Sequence, residues 1–479
     1  MRKRKIAGLF ALSMACCMLV SGCSPVQIDG KIDVPQAATP TPGASEGATQ
    51  EGQKTEQPVT KPDAEEGETE KEQALFPLEK GKAVPASCVS KDQTETVSDL
   101  TRDYADTLRD FAVESSNRIF PEVEGNYLYS PVSLFLALDL CAGITAEDAA
   151  PDLMKVLDVE DREGARLQGN ILIRDLSSDQ EGAILRIADS MWFDTVNLPE
   201  IGPDGYQVIS DTAEIIGADV YHEKLTDPAT QDKINGWISD RTDGMITELP
   251  MEPDGDTAAI LLNTLLFDKH WKREITDRNI VKAWFYPKGD SEGGLVERIE
   301  YSEKDHPYVE TAHAISSAAE YEDGSYIIFI KPNSDQDFEA AMTEDLQEVI
   351  RAYATKEYTE NGGSYEVFFG IPMVDYSTGM KTLSDTISDM GVGSIFSMGT
   401  FRDIDKTLYV SKIAQDCRII IDREGTKAAA VTEIEMKNGA VLMPKEEIDM
   451  RLDHEYGFVI MSDNDIPLFI GAVRDAGTE

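Results

Sequence analysis

The sequence lacks the residue patterns of a metal site and of a disulfide framework. Its 479 residues include only six cysteines and five histidines. None of the cysteines has CxxC spacing, and no histidine lies near one of them at the spacing of metal ligands; they are Cys16, Cys17, Cys23, Cys88, Cys141 and Cys417. We therefore expect neither a bound metal nor a disulfide scaffold.

Common catalytic and nucleotide-binding motifs are also missing. The sequence contains no GxSxG elbow, P-loop or zinc motif, and Gly391-Val392-Gly393 lacks the third glycine of a dinucleotide loop. These absences predict a protein that is not an enzyme and uses no cofactor.

Positive charge is scarce. The chain has 44 Lys and Arg against 89 Asp and Glu, which gives a formal net charge of −45. Such a chain repels phosphates, so nucleic acid is not an expected partner. A solvated surface and an acidic tail account for the charge, which by itself names no other partner. The 41% of hydrophobic residues still allows a substantial core.

Residues 1–23 have the pattern of an export signal. Four basic residues, Arg2 to Lys5, precede an apolar run, Ile6 to Val20, that is too short to be a good membrane-spanning helix. The run ends in Val20-Ser21-Gly22-Cys23, which resembles a bacterial lipobox. This predicts cleavage before Cys23, lipidation of its thiol and anchoring to the bacterial envelope, with the folded part extracellular or periplasmic. The alternative is an ordinary signal peptide with a chance cysteine.

Residues 24–97 are predicted to be a disordered acidic linker. They are rich in Pro, Thr, Glu, Gln and Gly and have few large apolar residues, so folding could not offset the loss of chain entropy. Residues 98–479 are predicted to form the folded domain.

Within this domain, helical patterns come first and strand patterns dominate later, which predicts the α+β class. The predicted helices are an opening helix around Leu100 to Ala112, then 134–141, 233–247, 338–352 and 381–390. The predicted strands are 185–193, 258–267, 326–330, 365–372, 408–414, 417–421 and a closing hairpin of 456–461 and 468–473. Asn263 lies inside the apolar strand 258–267 and needs hydrogen-bond partners.

One stretch, Glu424 to Lys445, is patterned as a strand but contains poor strand formers. At every second position its side chains are small or apolar, and the charges fall on the other face. Gly425, three alanines and Asn438-Gly439 disfavour a permanent strand. This favours a loop that later becomes a strand, while a short helix or an ordinary loop is the alternative.

The motifs of residues 98–477 together resemble the serpin family. The first are Asn126 with Ser130-Pro131-Val132-Ser133, the pattern from Ile234 to Ile246, and Asn263 with Phe267 and Trp271. The others are Glu424-Gly425-Thr426 with Ala428-Ala429-Ala430, and Asp453-His454 with Tyr456 and Leu468 to Gly471. The five motifs occur in the order that the family has them.

The resemblance implies a serpin fold with three β-sheets, eight to nine α-helices and an exposed reactive loop. It also implies a monomer that traps a serine protease as a covalent acyl-enzyme, because the cleaved loop inserts into the main sheet. By the same resemblance, the hinge of the loop comprises Glu424, Gly425, Thr426, Ala428, Ala429, Ala430 and Thr432. The region that controls sheet opening comprises Ser130, Ser133, Asn263, Trp271 and Gln415.

The sequence departs from the family pattern at several positions. Gln415 stands where the family usually has a histidine, so we expect Ser130, Asn263 and Gln415 to form a network that does not respond to pH. Arg423 and Lys427 stand where acidic residues are usual, which puts hinge salt bridges in doubt. The loop is also a few residues longer than usual. Counting from Gly425 places the cut near Gly439-Ala440, and the extra length widens the range of expected cut positions to 438–443.

The residues around the expected cut indicate the target. The protease pocket reads the residue before the cut, and Gly439, Ala440 and Val441 are small and apolar. They predict an elastase-like or subtilisin-like target, with cleavage after Ala440 or Val441. Lys437 and Lys445 are the trypsin-like alternatives. A non-inhibitory carrier or binding protein is the alternative function, although the inward hinge face lacks the bulky or charged residues that are frequent in such proteins.

Overall fold

The computed structural model describes residues 12–21, 91–249, 251–288, 292–359, 365–379, 381–423 and 446–477. Side chains are described for Met18 and from Tyr104 onward within these ranges. The predictions made for residues 22–90 and for the loop 424–445 therefore lie outside the described residues.

The described residues include nine helices. They are α1 (Lys91–Ile119), α2 (Pro131–Gly143), α3 (Pro151–Leu157), α4 (Arg162–Leu176), α5 (Pro203–Ile216), α6 (Pro228–Arg241), α7 (Phe338–Thr343), α8 (Leu346–Thr355) and α9 (Ser384–Asp389). Helix α1 begins at Lys91, inside the stretch predicted to be linker. Of the helices in the described ranges, none is both long and apolar enough to cross a membrane.

Helix α2 is buried on every side, which explains why its sequence is apolar throughout rather than amphipathic. Ser130 begins the helix, since its side chain accepts a hydrogen bond from the Ser133 backbone N–H, and Pro131 occupies the first helical position. The helix contacts β6 of the main sheet and β18 of a second sheet, described below. It therefore lies in the centre of the hydrophobic core.

All five predicted helices differ in their bounds from the observed helices, and for three of them the contacts or the backbone conformation explain the difference. The predicted helix 338–352 is two helices, because Asp345 between them accepts hydrogen bonds from Thr311 and His313 of another segment. Helix α6 ends at Arg241, before Asp243 and Gly244 take positive φ values of 48° and 78°. The predicted helix 381–390 begins only at Ser384, since Lys381 and Thr382 pair with strand β15 (Tyr409–Ile421).

The main sheet has the strand order β13-β15-β1-β6-β4-β3, with β14 beside β15 and β5 beside β4. Its strands are β1 (Leu12–Ser21), β3 (Ser178–Gln180), β4 (Ala183–Asp194), β5 (Asp219–Glu223), β6 (Thr257–Lys269), β13 (Val374–Ser377), β14 (Lys381–Thr382) and β15 (Tyr409–Ile421). Strand β15 is continuous where the sequence predicted two strands, because Gln415 and Asp416 take part in its ladders.

Two further sheets complete the fold. The six-stranded sheet has the order β2 (Tyr127–Tyr129), β18 (Pro467–Val473), β17 (Tyr456–Met461), β11 (Tyr326–Pro332), β10 (Ala314–Glu320) and β9 (Tyr308–Glu310). The four-stranded sheet has the order β16 (Glu446–Arg451), β12 (Tyr365–Pro372), β8 (Gly294–Lys304) and β7 (Ile280–Phe285). The predicted α+β class with three sheets is confirmed, and β17 and β18 form the predicted hairpin.

Strand β1 belongs to the stretch predicted to be an export signal. Its ten residues lie in the main sheet between β6 and β15 and run antiparallel to both. Residues 1–23 were predicted to lie outside the folded domain, so this strand was not expected. In the full chain, residues 12–21 are part of the main sheet.

Candidate functional site

The candidate site is the position between β6 and β15 in the main sheet, which we call the insertion slot. Strands β6 and β15 are far apart in sequence, and each pairs with the strand that lies between them. Strand β15 ends at Ile421, immediately before the stretch predicted to be a mobile strand. A chain that turned back after β15 and paired with it would run antiparallel to it. That is the direction in which β1 crosses the slot.

The slot extends along most of the length of its flanking strands. At one end Leu12 lies opposite Phe267 of β6 and Ile419 of β15. At the other end Ser21 lies opposite Thr257 and Tyr409. A strand in the slot thus pairs on both sides, so all of its backbone groups can form ladder hydrogen bonds.

Both faces of the slot are covered. Met18 is fully buried in the main core and lies opposite Leu261 and Ile413. The next position toward the N-terminus, residue 17, lies opposite Leu262 and Ala414, which belong to a second hydrophobic cluster together with residues of α6. At this level, a strand in the slot has apolar neighbours on both of its faces.

Gln415 binds the start of helix α2 with both ends of its amide. Its side-chain NH₂ donates to the Ser130 carbonyl, and its side-chain oxygen accepts from the Ser130 backbone N–H, both at 3.0 Å. The Ser130 hydroxyl donates to the carbonyl of Leu468 at 2.7 Å. These bonds connect β15, α2 and β18. Gln415 thus satisfies both backbone groups of Ser130 without a titratable side chain.

Asn263 belongs to a separate set of contacts on the other side of the slot. Its oxygen accepts a hydrogen bond from the Ser133 hydroxyl, and its NH₂ donates to Asp189 of β4 at 2.9 Å. Asn263 and Gln415 both lie opposite residue 16. The structure therefore brings Ser130, Ser133, Asn263 and Gln415 to one level of the slot. The Ser133 backbone N–H, which donates to the Ser130 hydroxyl at 3.4 Å, connects the contacts of Asn263 with those of Gln415.

Two buried carboxyl groups beneath the slot were not anticipated. Asp189 is in β4 and Asp139 is in α2, and three of their four carboxyl oxygens have no hydrogen-bond partner among the described residues. Burial raises the pKa of Asp189 to about 7, against the opposing hydrogen bond from Asn263. Burial and then the charge of Asp189 raise the pKa of Asp139 well above its usual value. The expected pH-insensitive network therefore lies beside titratable groups.

A signal for these carboxyl groups was present in the sequence. Each is a single acid inside an apolar segment, LRIADSMWF for Asp189 and PVSLFLALDLCAG for Asp139. An acid in a strand or helix that is otherwise apolar is a candidate for a perturbed pKa.

Trp271 follows β6 near the end of the slot where Leu12 lies opposite Phe267. It is therefore not at the level of Asn263 and Gln415. Its indole N–H donates to the carbonyl of Asp422 at 3.0 Å, and its ring stacks on Tyr321 with 4.8 Å between centroids. Trp271 therefore holds the end of β15 at the point where the loop begins.

A cavity of about 350 Å³ lies beside Trp271. Tyr301, Ile299 and Ile371 contribute apolar lining, and Arg273 and Glu303 line it with opposite charges that pair at 3.1 Å. The volume is within the range of small-molecule sites.

The residues at the start of the loop are described only up to Arg423. Arg423 pairs with Asp277 at 2.6 Å, and both side chains are largely exposed, so the pair adds little stability. The remaining predicted site residues lie outside the described residues: Lys427, the hinge (Glu424, Gly425, Thr426, Ala428, Ala429, Ala430 and Thr432), the reactive bond (Gly439, Ala440 and Val441) and the lipidation site (Cys23).

Known proteins are similar to this chain in sequence and in fold. A family model described as serpin (serine protease inhibitor) matches residues 106–476. A serpin-like protein of Methanosarcina mazei is 26% identical over 407 residues, covering 79% of this chain and 90% of that protein. The leukocyte elastase inhibitor of Equus caballus is 24% identical over 354 residues, covering 70% of this chain and 89% of that protein.

Solved structures agree with the fold. The thermophilic serpin tengpin in its native state superposes with a TM-score of 0.62 at 22% identity, covering 81% of this chain and 95% of tengpin. Human thyroxine-binding globulin, solved in complex with its hormone, superposes with a TM-score of 0.64 at 18% identity. The superposition covers 79% of this chain and 99% of the globulin. Members of the matched family are typically inhibitors rather than enzymes. With three sheets, nine described helices and a family match over residues 106–476, this chain belongs to the serpin family.

Proposed function

We propose that the chain is a suicide-substrate inhibitor of serine proteases. A protease serine attacks a bond near Gly439, Ala440 or Val441 and forms an acyl-enzyme, and the freed loop then enters the insertion slot. The observation that carries the proposal is the main sheet itself. It accommodates a strand between β6 and β15 that runs in the direction required of a loop returning from β15.

The composition of the loop supports insertion. Thr426, Ala428, Ala430 and Thr432 alternate along one face and are small enough for a core that is already packed. Inserting about 14 residues at ~3.3 Å each would move a tethered protease roughly 45 Å. The new backbone hydrogen bonds, at ~1 kcal/mol net each, would together supply of order ten kcal/mol. The native state is then kinetically trapped rather than the most stable state.

The target is proposed to be elastase-like or subtilisin-like, because the residues around the expected cut are small and apolar. One relative, from horse, is named a leukocyte elastase inhibitor, which agrees with this proposal.

We also propose that the inhibitor acts as a monomer at the surface of a bacterial cell. Cleavage before Cys23 and lipidation of its thiol would anchor the chain, and residues 24–90 would connect the anchor to helix α1 at Lys91. Intact-mass measurement of the membrane-bound protein would show a lipid on an N-terminal Cys23. A mass that corresponds to an unmodified N-terminus would contradict the anchor.

The test of inhibition uses the processed protein with elastase, subtilisin and trypsin in separate reactions. We expect a band with elastase that survives SDS, and mass spectrometry should place the cut after Ala440 or Val441. A stable complex with trypsin and a cut after Lys437 or Lys445 would overturn the proposed specificity. Complete cleavage by elastase, subtilisin and trypsin without any complex would overturn inhibition itself.

The cavity beside Trp271 supports the carrier alternative, because its volume suits a small ligand. The same experiment separates the two functions, since a carrier needs no acyl-enzyme complex.

A further inference from the structure

We propose that β1, the leader strand Leu12–Ser21, prevents the unprocessed chain from trapping proteases, and that removal of the leader activates it. This inference rests on the proposed inhibitory function. It concerns the chain before export and assigns the N-terminal segment a second role beside that of an export signal.

The leader strand and an inserted loop exclude each other from the insertion slot. The leader strand forms ladders with β6 from Phe267 to Thr257 and with β15 from Ile419 to Tyr409. Each edge of a strand pairs with one neighbour at a time. A cleaved loop in the insertion slot would need these same two edges and would run in the same direction. The loop and the leader strand therefore cannot occupy the slot together.

Loop insertion in the unprocessed chain would also release little free energy. Trapping requires that cleavage release free energy through the formation of a new central strand. In the unprocessed chain that strand is already present, and Met18 is already fully buried between the sheets. Loop insertion would first have to break the ladders of the leader strand, so little net gain remains to pull the protease along.

The predicted cleavage site, before Cys23, lies directly after the leader strand in the sequence. The leader strand ends at Ser21, and a single cut before Cys23 removes it entirely, while the next described helix begins only at Lys91. Its pairing is irregular at this same end, with register shifts between Leu19 and Val20 on β15 and between Val20 and Ser21 on β6. Signal removal thus empties the slot without cutting any other described element.

The consequence is an inhibitor that is silent until it is exported. A copy that remains inside the producing cell would be cleaved by a serine protease as an ordinary substrate. Processing at the membrane would convert the same chain to a trap.

The test compares unprocessed full-length chains that carry Cys23→Ala to block cleavage. One chain has no other change, a second carries Met18→Asp and a third carries the matched apolar control Met18→Leu. An aspartate at this buried position disfavours the leader strand in the slot, whereas leucine preserves it. The processed protein is the positive control, and the fraction of elastase in an SDS-stable complex is measured.

We expect the Cys23→Ala chain and its Met18→Leu variant to be cleaved with little complex. Met18→Asp should form at least about tenfold more complex, the change that a difference of 1.4 kcal/mol produces. Equal trapping by the processed protein and the Cys23→Ala chain would overturn the inference and leave the inhibitory function intact. Absence of trapping in the processed protein would overturn both.

A second measurement locates the leader strand without relying on inhibition. Residue 14 lies opposite the buried Cys417, so Met14→Cys should form a disulfide with it on mild oxidation. Ser13→Cys, opposite Arg418 and on the other face, should not link to Cys417. Peptide mapping identifies the link, and its absence in the Met14→Cys chain would overturn the inference.

Discussion

At the scale of single residues, the slot is controlled by amides and carboxyl groups instead of by an imidazole. Gln415 binds both backbone groups of Ser130 and remains neutral at every pH. Two buried carboxyl groups lie one layer away: burial raises the pKa of Asp189 to about 7 and that of Asp139 well above its usual value. These carboxyl groups are therefore expected to contribute to any pH response of the sheet.

Asp189 provides a prediction with a definite sign. Its pKa is about 7 in the folded chain against an ordinary value of 3.8, so the native state holds this proton more tightly than the unfolded state. The stabilisation is fully present below the ordinary pKa and is lost as the pH rises through about 7. Between pH 3.8 and about 7, the free energy of unfolding falls by at most about 1.4 kcal/mol per pH unit. We expect the unfolding temperature of the native protein to fall from pH 5 to pH 7.

The variant Asp189→Asn should weaken this dependence and raise the unfolding temperature at pH 8, because its amide still accepts from Asn263 and cannot ionise. Asp139 stays in place, so part of the pH dependence remains. The exposed Asp110→Asn is the control and should behave as the parent. Identical pH profiles for the parent and Asp189→Asn would contradict the assignment.

Residue identities explain why part of the site could be predicted. That Asn263 has hydrogen-bond partners was predicted, because a buried amide in an apolar strand needs them, but its partners are Ser133 and Asp189 and not the expected Ser130 and Gln415. The pairing of Gln415 with Ser130 also agrees with the prediction. That Asp139 has no hydrogen-bond partner among the described residues could not be predicted, because the lack of a partner depends on the tertiary environment and not on local pattern.

At the scale of elements, the hinge carries the proposed mechanism. In this mechanism Thr426 enters the slot with its side chain on the inward face, where a charge would cost several kcal/mol. We expect Thr426→Arg to be cleaved as a substrate with at least about tenfold less complex, which corresponds to only 1.4 kcal/mol. The fraction of complex on SDS gels measures this.

Thr426→Ser is the matched control for the hinge, since it keeps a small polar side chain. It should trap elastase as the parent does. Full inhibition by Thr426→Arg would contradict the insertion mechanism for this chain.

Periodicity predicted those elements whose pattern is local. Strand β12 has the predicted bounds, Tyr365–Pro372, because its apolar and β-branched residues lie between clear breaks. The division of α7 from α8 depends on the distant partners of Asp345, so the local sequence could not reveal it. Strand β1 was missed for a related reason, since a continuous apolar run has no period that distinguishes a strand from an export signal.

At the scale of the whole molecule, stored free energy should appear as a change in thermal stability. Cleavage of the loop in the processed protein allows a new central strand to form, at of order ten kcal/mol. We expect the clipped protein to unfold at a temperature roughly 10–20 °C higher than the intact protein, at about 2 °C per kcal/mol for a large domain. Calorimetry of the two forms measures the difference.

The cleaved Thr426→Arg variant is the control for this comparison and should show a smaller rise. Equal unfolding temperatures for the intact and clipped forms of the parent would show that the native sheet stores no free energy.

The pairing of β18 with β2 sets the order in which the molecule can be completed. Ile470, near the C-terminus, pairs with Tyr129, near the start of the domain, so the six-stranded sheet closes only after almost the entire chain has been translated. Strand β15 also leaves the ribosome long after residues 12–21. A nascent chain that is captured early for secretion thus offers its N-terminus to the translocation machinery before any competing position in the sheet exists. If the N-terminus is the export signal that we propose, a chain released into the cytosol would hold both the leader strand and its position in the sheet. The timing of capture for secretion would then decide which of the two states the protein adopts.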